Sequence, residues 1–211
     1  SLLECLVALT LCLLLLNPLL KSSADLAALQ IRYEKTQELY FEADRAFELM
    51  GRAIRMAGYR NAKSAFKHSK QNSNQYLEVQ SKSGFQNSDA LIVRHELSDG
   101  NDFDCIGNVL TQERTKNHLA YQGFLVNRQA ALPKGAKANG GSLICQSLDR
   151  QGRLQNSTLM NGVQGLYITE IGPLRQGGRP TQRVLKVKLV MTDGAHINLE
   201  LERTFATRNA S

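Results

Sequence analysis

One carboxylate, Glu4, stands alone among apolar side chains in a run from Ser1 to Leu16, where the only other ionisable side chains are the thiols of Cys5 and Cys12. A carboxylate in hydrocarbon is costly unless it meets a cation, so the chemistry that Glu4 offers is ion pairing. Elsewhere the residues that catalysis or metal binding would need do not converge. His68, His95, His118 and His196 are scattered singly, with no HExxH or i, i+4 pair. Neither the glycine-rich phosphate loops nor a GxSxG nucleophile elbow is present. Asp99, Asp102 and Asp104 alternate as in a calcium loop but lack the distal bidentate Glu, so an exposed acidic turn is the better reading. Asn156-Ser157-Thr158 fits a glycosylation acceptor, a tripeptide common by chance. Arg175, Arg179 and Arg183, with Lys186 and Lys188, form a basic group able to meet phosphates without sequence preference. Tyr167 and Phe205 are the only stacking candidates near it and Trp is absent, so a solvated charged face is favoured over a nucleic-acid platform.

These residues must be positioned by elements that the sequence outlines. The apolar run continues to Leu20, about 30 Å of helix and one hydrocarbon thickness, before the first basic residue, Lys21. Asn17-Pro18 interrupts it, and a kink or a short melted stretch is expected at Pro18. From Leu26 a narrow seam follows at heptad spacing: Leu29, Tyr33, Thr36, Tyr40, Ala43, Phe47, Met50, Ile54 and Ala57. The seam can pair with another helix or carry the domain's own sheet, and the second is preferred for Ala43 to Ala57, because a strand-rich region follows and needs a covering layer. Gly58 reads as a C-cap. Beyond the polar stretch Lys63–Asn74, strand patterns occur at 75–80, 90–95, 118–127, 142–146, 163–170, 184–191 and 196–204. Asp193-Gly194 signals a type I′ hairpin, and loops are expected at Ser98–Asp104, Pro133–Gly141 and Gly172–Pro180.

The expected organisation is therefore a transmembrane helix over 1–24, an amphipathic helix over 25–60 and a β-rich head over 61–211. The fold class is α+β, a long helix on an antiparallel sheet. The formal charge is +7, and residues 1–60 are balanced at seven basic and seven acidic groups, so the whole excess lies beyond residue 60. That favours an anionic neighbour or merely keeps the surface soluble.

The chain opens without Met and without a basic segment before the apolar run. This pattern resembles the processed N-terminus of type IV pilins and type II secretion pseudopilins, in which a leader is removed, the first residue is N-methylated and a Glu follows at position five. Here the Glu is fourth, so the resemblance either places a methylated Phe ahead of Ser1 or begins the mature chain at Ser1. Arg55-Met56-Ala57-Gly58-Tyr59-Arg60 resembles a segment of the PilW group of minor pilins. Asp89–Arg94, Asp104–Asn108, Leu143–Cys145, Asn161–Val163 and Thr204–Asn209 match that group in the expected order. The resemblance implies a non-enzymatic, cofactor-free structural subunit of the inner membrane that primes a type IV pilus and enters it at the tip. Such a pilus serves twitching motility, adhesion or DNA uptake, and the partners are other minor pilins and the major pilin. Glu4 would neutralise a neighbouring subunit's N-terminal amine. The J-type minor pseudopilin of type II secretion is the second reading, and a DNA-binding subunit of an uptake pilus the third. In an exported head oxidation is permitted, so Cys105 and Cys145 are expected to form a disulfide.

Overall fold

From Leu2 to Met56 the chain has one Pro and one Gly among many Leu, Ala, Glu and Arg residues, all strong helix formers, and it forms a single helix, α1 (Leu2–Met56). The computed structural model describes residues 1–61, 76–98, 100–130, 140–176 and 179–208, and the side chains of 173–181 lie outside that description. α1 passes through Pro18 without interruption, so no stretch melts there. Gly58, at φ +70°, ends it in the left-handed conformation that a C-cap requires, and its amide then donates to the Arg94 carbonyl at 3.2 Å.

Two compact units divide the chain, Ser1–Tyr40 and Phe41–Ser211. The second unit thus takes in the C-terminal part of α1 together with the strands. The reason is burial: Ala43, Ala46, Phe47, Met50, Ala53 and Ile54 are all at most 2% exposed. This face packs on the sheet, with the Phe47 ring 6.3 Å from that of Phe205.

The sheet comprises β1 (Leu77–Gln80), β2 (Ala90–His95), β3 (Thr115–Lys116), β4 (Leu119–Arg128), β5 (Gly141–Leu148), β6 (Leu154–Gln176), β7 (Arg179–Thr192) and β8 (Asn198–Ala206). All neighbours are antiparallel, in the order β1-β2-β4-β5-β6-β7-β8, with the short β3 paired to β4. Seven strands were expected and each is present, within shifted bounds. β6 starts at Leu154 rather than Val163, and Gly172–Pro180 is largely strand where a loop was expected. Pro173 pairs with Arg183 and Gln176 with Arg179 across register shifts that accommodate the Gly-Pro irregularity. Asp193-Gly194 is not a two-residue turn. Asp193 Oδ1 accepts the amides of Ala195, His196 and Ile197 at 2.8–2.9 Å, which holds a wider loop open between β7 and β8. Most of the expected Pro133–Gly141 loop, the stretch Lys63–Asn74 and His68 lie outside the described residues.

β6 gives the sheet its form. Its first half pairs with β5 as far as Val163 and its second half with β7, with register shifts around Gly165. Past Val163 its β5-side edge needs new partners, and the entrance to β2 supplies them. Leu166 N–H donates to Ser88 Oγ at 3.4 Å, Ile168 N–H to Asp89 Oδ2 at 2.9 Å, and Asp89 N–H to the Leu166 carbonyl at 2.8 Å.

Candidate functional site

The N-terminal unit is all surface. Every residue from Ser1 to Lys35 is exposed, with Leu2 at 82% and Leu14 at 71%. A core helix of a soluble domain would bury such a face, so this one lacks its solvent or its partner. It is the one described helix long and apolar enough to cross a membrane. Glu4 lies in its first turn, where the helix dipole favours an anion, with Oε2 2.7 Å from the Ser1 amino nitrogen. Leu26, Leu29 and Tyr33 remain open along the same unit.

In the head, the disulfide joins Cys105 to Cys145 on β5, with Cα atoms 6.2 Å apart, an ordinary span for this bond. Cys5 and Cys12 are free thiols. Beside the disulfide sits a group that residue spacing does not announce. The Asp104 side chain is fully buried and accepts from the amides of Ile106 and Asn108 at 3.0 and 2.7 Å, from Asn108 Nδ2 at 3.1 Å and from Ser147 Oγ at 2.5 Å. Arg114 Nη1 stands 4.0 Å away. The acidic turn expected at Asp99–Asp104 is thus not uniformly exposed: Asp104 is a structural anchor, and Asp102 accepts from Ser98 N–H at 2.6 Å. Asp99 lies outside the described residues.

Three of the five residues of the basic group are described, and each meets a carboxylate. Arg183 makes a two-pronged contact with Glu170, at 2.8 and 2.9 Å, and donates to the Leu77 carbonyl at 2.7 Å. Its guanidinium holds the Glu170 carboxyl below the usual carboxylate range. Lys186 pairs with Glu202 at 2.6 Å and Lys188 with Glu200 at 2.5 Å, each across the β7–β8 ladder. Lys188 is raised by that same Glu200 hydrogen bond. All three cations are therefore matched by carboxylates from within the fold. The side chains of Arg175 and Arg179 lie outside the description.

A cavity of about 520 Å³ opens over β1, β2 and β4, lined by Glu78, Arg94, Lys116, Tyr121 and leucines. Arg94 lies 3.3 Å from Glu78 and 5.6 Å from the Tyr121 ring centre. No nucleophile–base pair lines it. Among the described residues no group of three or more His, Cys, Asp or Glu could hold a metal.

No family model, curated protein or solved structure matches the chain. The segments that carried the resemblance can still be read physically, and each is a joint of the fold. Asp89 fastens β2 to β6, and Asp104 folds the loop that carries Cys105. Asn161 Oδ1 accepts from Ser142 Oγ at 2.6 Å. Thr207 closes the chain end on Arg183, accepting its amide at 3.0 Å and donating its own to the Arg183 carbonyl at 2.9 Å.

Proposed function

We propose that this chain is a minor pilin: a single-pass membrane subunit that waits in the inner membrane with its head in the periplasm and then enters a type IV pilus near the tip. The observation that carries the reading is the N-terminal unit, an uncovered apolar helix with one acid in its first turn. Two environments satisfy such a surface, lipid before assembly and the apolar helices of neighbouring subunits after it. Glu4 meets its own Ser1 amine in the isolated chain, and in a filament it would exchange that cation for a partner subunit's N-terminal amine.

Glu4→Ala is the test. Membrane insertion should be unchanged, since the segment becomes more apolar. The amount recovered in sheared filaments, relative to the other pilins, should fall at least about tenfold if an ion pair worth roughly 1.4 kcal/mol or more is lost at docking. Wild-type recovery would sink the proposal. The proteins that co-purify with the filament fraction separate a pilus from a type II secretion pseudopilus.

A further inference from the structure

Three of the sheet's edges bear on the partner question, and particular contacts engage two of them. At β1, the Leu77 carbonyl accepts from Arg183 Nη1 at 2.7 Å. Along the second half of β6, Ser88 and Asp89 supply the missing partners. The third edge is the outer side of β8, last in the strand order, and among the described residues none is hydrogen-bonded to it over Asn198–Glu202.

Edge strands are ordinarily blunted by Pro, bulges, short length or charged side chains, and β8 carries only the last of these. β8 has no Pro or Gly, and its register with β7 runs from Val184↔Ala206 to Thr192↔Asn198 without a shift. Its solvent face carries Glu200 and Glu202, while Leu199 and Leu201 are half-buried on the other face. Lys186 and Lys188 reach these carboxylates from β7 alone, and the Glu200 side chain remains 61% exposed, so each anion keeps accepting capacity on its outer flank.

We infer that β8 receives an extended strand from a different polypeptide, one that sets Lys or Arg beside Glu200 and Glu202 and aliphatic side chains beside Leu199 and Leu201. Backbone hydrogen bonds supply the attachment and the alternation supplies the selection. A second copy of this chain fits poorly. Antiparallel pairing of β8 with itself about Leu201 sets Glu200 against Glu202, and pairing with a copy's β1 presents Glu78, so both place like charges across the ladder. The inference does not depend on the pilin reading.

The probe is a blocked nine-residue peptide alternating Lys and Val, offered to the full chain in zwitterionic detergent beside a Glu–Val counterpart. Amide exchange should slow across Asn198–Glu202. The Lys peptide should bind about tenfold tighter than the Glu peptide, two cross-strand charge pairs being worth roughly 1.4 kcal/mol. Lys186→Glu, Lys188→Glu, Glu200→Lys and Glu202→Lys made together keep the β7–β8 pairs while reversing the outer charge, and should reverse the preference. A Lys–Val peptide N-methylated at alternate residues, unable to donate along one edge, should lose binding to the unmodified chain. Absence of protection on β8, equal binding by the methylated peptide, or a swapped chain that still prefers Lys would each overturn the proposal.

Discussion

Asp104 and His95 show what buried polar side chains do here. Asp104 is tolerated in the interior because its oxygens meet four donors and a nearby guanidinium. Removing it takes the nearby anion from Arg114, whose side chain is only 14% exposed and keeps just the Leu148 carbonyl at 3.2 Å, and leaves the Ile106 and Asn108 amides without their acceptor. Asp104→Ala should therefore cost at least about 3 kcal/mol in urea unfolding, and Asp104→Asn less. His95 is 1% exposed, with Nδ1 2.8 Å from the Glu96 carbonyl. A carbonyl only accepts, so Nδ1 carries the proton and Nε2 faces the Gln122 amide at 3.4 Å. Burial holds this imidazole below its ordinary range, against the opposing pull of the Glu96 carbonyl and the more distant Asp102. The neutral form is thus the folded form. Its contribution to stability is complete above the unfolded-state value of about 6.5 and is lost as pH falls through the lower folded-state value. Unfolding free energy should decline on acidification below about pH 6.5, and His95→Gln should flatten that slope. An unchanged slope would assign the acid sensitivity to other groups.

At the scale of elements, α1 lies close against β8. A Cβ placed on Gly51 would stand 2.6 Å from the Phe205 ring, so the helix lies against the sheet there only because position 51 has no side chain. Gly51→Val should destabilise the head by about 1–3 kcal/mol through overpacking, and Gly51→Ala by less, since better helix propensity offsets part of the ring's displacement. Thermal unfolding of the two variants checks the order. Much of this architecture was legible in the sequence. The heptad seam located the covering face of α1, and period-two alternation located β2, β4, β5, β7 and β8 to within a few residues. Gly58 is the cap it was expected to be. The end of β6, from Gly172 to Gln176, was misread as a loop because Gly172, Pro173 and the glycines that follow are turn chemistry by local rules, and only pairing with β7 overrides them. The wide β7–β8 turn was missed because Asp193 folds three amides onto one oxygen, which no dipeptide pattern encodes. Tertiary pairing decided both.

For the whole molecule, charge is the quantity that composition describes least well. A surplus of +7 reads as an appetite for anions, yet Arg183, Lys186 and Lys188 are matched by carboxylates that lie far from them in sequence. The Asp104 anchor was equally hidden, because its partners are amides made available only by the fold around the disulfide. That bond closes a loop of 40 residues and stabilises the head by about 4 kcal/mol on a chain-entropy reckoning. The contact between α1 and β8 has a further consequence, for the order in which the head can be made. Asp44 and Arg203, 3.0 Å apart, are separated by 159 residues, and Phe47 likewise waits for Phe205. In synthesis the covering helix precedes the strand it meets, so these α1–β8 contacts cannot form until β8 has been made. With so much of its stability in distant pairings, the head belongs among domains that fold in milliseconds to seconds. A nascent chain halted before β8 would be a ready client for chaperones and proteases.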